Sequence, residues 1–404
     1  MSFAEARLIV EEHGRSLLQH DQEEETVALN NARGRVLAES ICADRDLPPF
    51  PRAARDGFAV LAADIATSES SPAMLKIVGE IAAGATELPE IHSGEAAAIM
   101  TGAAAPSGAD AIVMVEYTRS DHNGVQILRP VRSGENIVPR ASEARAGDVL
   151  LSRHHRLDAA AAAVAASVGK AELRVYRKPR VAILATGDEL VPVEGRPGAH
   201  EIRNSNSWSL AAQVEACGGV GSVLPAAPDR ADRLAELIGE GLQADLLLLS
   251  GGVSMGSYDL VKPVLAKFGA EFFFTGTLIQ PGRPTVFGRA AGKYFFGLPG
   301  NPVSTLVTFE LFVRPMLEAL SGAEPRPLRY LQAKLKSDIK TKTGLTRFLP
   351  ARLSGQLENT EVELVRWQGS GDVVATAAAN CYIVIPPDRE SIAHGELVSV
   401  LPSS

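Results

Sequence analysis

Three acidic residues stand where a carboxylate can meet a phosphate: Glu189 in Thr186-Gly187-Asp188-Glu189, Asp229 in Pro228-Asp229-Arg230, and Asp259 closing Ser250-Gly251-Gly252-Val253-Ser254-Met255-Gly256-Ser257-Tyr258-Asp259. Carboxylate oxygens beside phosphate are how Mg²⁺ is usually held, so the three form a candidate metal cluster. Gly251, Gly252 and Gly256 permit φ > 0 and let an anion approach the backbone closely. Their amides, with the hydroxyls of Ser250, Ser254 and Ser257, suit a phosphate placed ahead of the helix that follows near Leu260. A second nest runs Leu298-Pro299-Gly300-Asn301-Pro302-Val303-Ser304, where Pro302 fits a first helical turn. Taken singly, each loop is more often a tight turn and each aspartate more often a helix cap. Their weight comes from falling together at one predicted sheet edge.

That edge follows from the elements that must position the loops. Apolar runs of strand length lie at Val181 to Ala185, Gly221 to Leu224, Leu246 to Leu249, Glu271 to Ile279 and Lys293 to Leu298. Between and after them, helical spacing covers Trp208 to Cys217, Arg230 to Leu242, Leu260 to Phe268 and Pro302 to about Leu320. Strands alternating with helices predict a mostly parallel α/β sheet. Ligands of such a sheet sit beyond the carboxyl ends of its strands, which is where the acids and glycines fall. No G-x-G-x-x-G follows the first strand, which disfavours a dinucleotide dehydrogenase.

The flanking segments read differently. Phe3 to Gln19 predicts an amphipathic helix, and three prolines between Asp46 and Pro51 mark a turn. From Ala59 to about Leu151, short β-type runs alternate with glycine turns. Asp158, an alanine run and Gly169 predict a further helix. Beyond Pro325 and Pro327, five short strands predict a small C-terminal β-domain. The fold class is α/β plus β, in several domains. Three loops outside the α/β region, Arg55-Asp56-Gly57-Phe58, Met100-Thr101-Gly102 and Gly134-Glu135-Asn136-Ile137, read alone as turn chemistry.

The 404 residues carry a formal net charge of -8, with 46% hydrophobic and 22% charged residues, which is ordinary globular composition. That balance disfavours a nucleic-acid partner, which calls for a basic stripe. Cys42, Cys217 and Cys381 form no CxxC pair, so neither a zinc site nor a disulfide framework is expected. The first residues lack a signal-peptide core, and no apolar run approaches the ~18 residues of a membrane span. The expectation is a cytoplasmic protein without membrane segments.

Several motifs, in order, resemble the molybdopterin molybdenumtransferase family (bacterial MoeA and the gephyrin E domain). They are Ile99 to Ala103 (IMTGA), Gly134 to Ile137 (GENI), Thr186 to Leu190 (TGDEL), Ser250 to Gly256 (SGGVSMG), Pro281 to Pro284 (PGRP), Leu298 to Ser304 (LPGNPVS) and Asn380 to Val384 (NCYIV). The resemblance implies an elongated homodimer of four-domain subunits. The expected domains are an elongated helical linker domain at 1–45 and 140–178, a β-rich domain at 46–139, the α/β molybdopterin-binding domain at 179–325 and a β-barrel-like domain at 326–404. It also implies that molybdopterin-AMP, supplied by an upstream molybdopterin adenylyltransferase, meets molybdate between the α/β domain of one subunit and the β-rich domain of the other. Mg²⁺ assists cleavage of the pyrophosphate link, AMP leaves, and the dithiolene sulfurs take the molybdenum.

By the same resemblance, Glu189, Asp229 and Asp259 are the catalytic and metal-holding acids, and Asp56 is an acid presented from the other subunit. Substrate binding falls to Thr101 near the oxyanion and to Thr186, Gly187, Asp188, Ser250, Gly251, Gly252, Ser254 and Gly256. Pro281, Gly282, Arg283, Pro299, Gly300, Asn301, Pro302 and Ser304 complete that set. The sequence departs from the family pattern around Arg55, at Val138 after GENI, at Ser142-Glu143, and at Gln280 before PGRP, where a lysine is usual. Arg55 is expected to replace part of the positive charge lost at Val138 and Gln280. The alternatives are a paralogue that inserts tungstate or only hydrolyses molybdopterin-AMP, and a non-catalytic cofactor carrier or scaffold. The acids at 189, 229 and 259 favour an enzyme.

Overall fold

Four consecutive leucines leave a strand no polar face to turn toward water, so Leu246–Ser250 is buried along its whole length. In the computed structural model, which describes residues 1–20, 22–252 and 260–403, this strand lies inside a six-stranded sheet. The order is Val220–Val223, Arg180–Ala185, Leu246–Ser250, Lys293–Leu298, Val286–Ala290, Glu271–Thr275. The first four run parallel, and the last two join antiparallel. Alternate leucines serve opposite faces. Leu247 and Leu249 pack with Leu234, Leu237, Ile238, Val264 and Leu265 from two helices. Leu246 and Leu248 pack with Leu210, Val214, Phe312 and Met316, and with Ala6 and Val10 of the N-terminal helix. Burying each leucine stabilises the fold by ~1.5–3 kcal/mol.

The N-terminal helix, Phe3–Leu17, starts on a capping box between Ser2 and Glu5. Residues Pro302 to Leu320, expected as one helix, widen into a π-helical turn over Phe309–Val313. Pro315 explains the widening: it has no N–H for the carbonyl of Leu311, and its ring crowds that carbonyl. Arg7 supplies the missing donor, its Nη1 donating to Leu311 O at 2.6 Å. Strand Val286–Ala290 is absent from the sequence reading, which passed from Glu271 to Ile279 directly to Lys293.

Of seven strands described beyond Pro327, five close a ring, and the short Ile339–Lys340 and Ser391–Ile392 pair with each other. Leu331–Leu335 pairs with Glu361–Leu364 and Leu397–Pro402, Thr346–Ser354 with Glu361–Leu364 and Cys381–Ile385, and Cys381–Ile385 with Leu397–Pro402. A closed barrel leaves these strands no open edge.

The chain divides into two compact units. The one just described comprises Met1–Ala38, His154–Asp158 and Glu172–Ser404. The other comprises Glu39–Arg153 and Ala159–Ala171. Its six-stranded sheet runs Ala111–Met114, Gly57–Val60, Glu95–Ile99, Ala73–Ile81, Gly124–Ile127, Thr118–Asp121. Its alanine helix covers Ala159–Ser167, with Gly169 beyond it at φ +74°. Gly57 and Phe58, read as part of a loop, instead open an inner strand, leaving Arg55 and Asp56 as the turn before it. Among the described residues, no helix is long and apolar enough to cross a membrane.

Candidate active site

At the carboxyl ends of Arg180–Ala185, Leu246–Ser250 and Lys293–Leu298 opens a cavity of about 690 Å³. Three backbone bonds tie the strand ends into its floor. Thr186 N donates to Ser250 O at 3.0 Å, Gly187 N to Ala227 O at 3.1 Å, and Gly251 N to Leu298 O at 3.1 Å. The chain must turn sharply here, and Gly251 and Gly252 do so at φ +89° and +63°. A Cβ at Gly252 would stand 2.7 Å from Thr186 Oγ1, so only glycine fits against that hydroxyl. Opposite, Pro302 opens a helix whose first turn faces the cavity through Pro299, Gly300 and Asn301.

The acids gather beside this floor. Glu189 and Asp229 line the cavity, and Asp188 accepts the Asp229 amide at 3.0 Å. The Glu189 carboxylate folds over Gly187, where a Cβ would stand 2.3 Å from Oε2. Partial burial pushes the Asp229 carboxyl above its ordinary value, and the charges of Asp188 and Glu189 push it further. Crowded carboxylates of this kind lower their mutual repulsion by sharing a cation. Asp259, Ser254 and Gly256 lie outside the described residues. Among the described residues, no group of three or more His, Cys, Asp or Glu side chains is placed to hold a metal.

Of the expected substrate-binding residues, the cavity wall takes Thr186, Gly187, Ser250, Gly251, Gly252, Pro299, Gly300, Asn301 and Pro302. Asp188 is not in the wall; it is exposed and accepts the amide of Asp229, which is. Pro281, Gly282, Arg283 and Ser304 are not in the wall: Pro281 and Gly282 are buried, Arg283 is exposed, and Ser304 is buried within its helix. Pro284, the last residue of the same motif, does reach the cavity. The sequence reading missed Asn204, Ser205, Asn206 and Gly371. Gly371 comes from the C-terminal segment, whose Ser370 Oγ accepts from Asn301 Nδ2 at 2.8 Å and whose Ser370 carbonyl accepts from Val303 N at 3.0 Å. Asn206 opens a helix at a position that reads as ordinary cap chemistry.

The other unit brings its own candidates together. Asp56 Oδ1 accepts from Thr101 N at 2.7 Å and from Thr101 Oγ1 at 3.0 Å. These donors hold the Asp56 carboxyl below its usual range, the amide contributing most. Ala54 N donates to Asn136 O at 2.9 Å and Gly102 N to Ala53 O at 2.8 Å, so the three loops read separately from the sequence form one cluster. Val138 pairs directly with Arg52, which makes an ion pair with Glu143 at 2.9 Å. Arg55 is exposed.

Comparison with known proteins matches both units. Residues 1–169 match the MoeA N-terminal region (domain I and II), 182–319 a "Probable molybdopterin binding domain", and 332–403 the MoeA C-terminal region (domain IV). The chain is 36% identical over 392 residues to the molybdopterin molybdenumtransferase of Bacillus subtilis (strain 168), covering 95% of this chain and 90% of that protein. It is 34% identical over 378 residues to the enzyme of that name in Staphylococcus aureus (strain Mu50 / ATCC 700699), covering 93% and 90%. The crystal structure of the molybdopterin biosynthesis moeA protein from Pyrococcus horikoshii OT3 superposes with a TM-score of 0.81 at 30% identity, covering 100% of this chain and 99% of that one. Ordered motifs, matched regions and near-complete coverage lead to one conclusion: the chain belongs to the molybdopterin molybdenumtransferase (MoeA) family.

Proposed function

We propose that this chain inserts molybdate into adenylylated molybdopterin, releasing AMP in a Mg²⁺-dependent step. Its family is one of transferases in molybdenum cofactor biosynthesis. One observation carries the finer reading: a single cavity at the sheet's carboxyl edge joins Glu189 and Asp229 to both glycine loops. The loops offer backbone amides to phosphate oxygens. Glu189 and Asp229, with Asp259, are the residues to hold Mg²⁺; burial and the neighbouring charges of Asp188 and Glu189 raise the Asp229 carboxyl, and that setting favours a cation. When bound, Mg²⁺ neutralises charge developing on the phosphate oxygens. The walls position the pyrophosphate link against these groups, which removes much of the entropic cost of reaction. The Asp56–Thr101 cluster serves the oxyanion side of the same reaction.

The reading includes a cytoplasmic homodimer, an upstream adenylyltransferase that supplies the substrate, and four domains at the boundaries given above. A second reading, insertion of tungstate or hydrolysis alone, draws on uncharged Gln280 and Val138. The test incubates the protein with molybdopterin-AMP and Mg²⁺, with molybdate, tungstate or neither, and counts AMP and pterin-bound metal together. Equal amounts of AMP and molybdenum support the proposal. AMP without bound metal supports hydrolysis, and neither product supports a carrier.

A further inference from the structure

The cavity contains two buried polar atoms that the glycine loops and acids do not use. Asn206 Nδ2 donates to Gly300 O at 2.7 Å and to Ser250 Oγ at 3.0 Å. A carbonyl only accepts, so the Gly300 bond fixes which way the amide faces. Asn206 Oδ1 is therefore the acceptor left over, and among the described residues it is buried with no partner. Thr186 is 6% exposed, and among the described residues its Oγ1 is likewise buried with no partner. Both residues line the cavity and flank Ser250, whose carbonyl accepts Thr186 N and whose hydroxyl accepts Asn206 Nδ2. A buried orphan acceptor is costly, on the order of 1–3 kcal/mol each, so a protein that keeps two in one cleft has a use for them.

The chemistry of the atoms limits that use. The ionised pyrophosphate link brings only acceptors, and so does a carboxylate. Neither satisfies Asn206 Oδ1, which requires an N–H or O–H. Thr186 Oγ1 can donate and accept. We propose that Asn206 and Thr186 form a specificity pair that reads a donor-and-acceptor ring edge, the lactam N–H and carbonyl of the pterin, while the glycine loops take the phosphates. Engaging the Thr186 hydroxyl takes a shift of the Gly251–Gly252 turn, which packs against it. This assignment rests on the function proposed above.

The test measures binding of a free fluorescent pterin and, separately, of AMP to the full-length protein. Wild type is compared with Thr186→Val and Asn206→Leu. Each variant should weaken pterin binding ~10-fold, the loss expected for a buried hydrogen bond, and leave AMP within ~2-fold. Thr186→Val removes a hydroxyl that no protein group meets, so it should melt at or above the wild-type temperature; this variant keeps the test clean if Asn206→Leu folds poorly. Unchanged pterin affinity in Thr186→Val overturns the assignment. So does a loss confined to AMP, which would move the pair to the sugar hydroxyls or base of the nucleotide. Wild type that binds AMP but no pterin removes the pair's role and spares the nucleotide site, whereas wild type that binds neither overturns both readings.

Discussion

Asp229 and Asp56 are the same residue type in opposite settings. Asp229 shares its corner with Asp188 and Glu189, and burial and like charge both raise its carboxyl. Asp56 is exposed, meets two donors from Thr101, and is lowered. Among the described residues, no cation lowers the first carboxyl; the second is held by hydrogen bonds. In the α/β unit like charges crowd together at the corner where the proposed reading puts a cation and phosphates, whereas the other unit fixes a carboxylate by its own backbone and a hydroxyl. Unbalanced charge marks a site that binds, and balanced charge marks one that positions.

The strongest way to break this comparison is to remove the cation. Chelation of Mg²⁺ with EDTA should slow AMP release by more than about 100-fold, the several kcal/mol a metal contributes at a phosphoryl centre. Release that continues in EDTA would place the chemistry away from the Asp229 corner. Next in size is stability. Saturating Mg²⁺ at about 100 times its dissociation constant should stabilise wild type by ~2.7 kcal/mol. Thermal melts should show that gain, and Asp229→Asn should lose it; an equal gain in the variant would put the ion elsewhere.

The parts of this arrangement legible in the sequence are those fixed by local pattern. Leu246–Leu249 declares a buried strand because no residue in it is polar, and glycines directly after a strand announce a tight turn. Val286–Ala290 was not legible, because Gly288 and Arg289 interrupt its apolar run. The π-turn depends on Pro315 meeting Arg7, about three hundred residues away in the chain, at Leu311 O. Asn206 and Gly371 enter the cavity only through tertiary folding, one from a helix start and one from the barrel segment. The Asp56–Thr101 pair was visible as two motifs but not as a contact, since the hydrogen bonds cross 45 positions.

Titration sharpens the comparison with smaller effects. Asp229 ionises reluctantly in the folded state, so its charge costs stability above its folded pKa and that cost vanishes as the pH falls through it. Mg²⁺ stabilisation should therefore appear only as the pH rises past a value above that of an ordinary aspartate, and Asp188→Asn should move the onset lower. Asp56 contributes stability above its unfolded pKa, which is lost as the pH falls through its lowered folded value. Thr101→Val removes one donor and should raise the Asp56 value, read by carboxyl NMR; an unmoved titration would contradict the hydrogen-bond account. The smallest expected effect is at exposed Arg55, where Arg55→Ala should raise the molybdate requirement by no more than ~5-fold, the range of a solvated charge contact. Restoring a charge by Val138→Arg is not a clean test, because it sets a second arginine opposite Arg52.

The central claim is that the carboxylates at the sheet edge carry the cleavage. Its most direct measurement is single-turnover AMP release from molybdopterin-AMP at saturating Mg²⁺, comparing wild type with the double variant Glu189→Gln, Asp229→Asn. Both substitutions keep side-chain size and one acceptor oxygen while they remove the negative charge. The account predicts that without Mg²⁺ the double variant melts at or above the wild-type temperature, because the crowded charges are gone, and that AMP release is slowed by more than about 100-fold. Release at the wild-type rate from the folded double variant would contradict it.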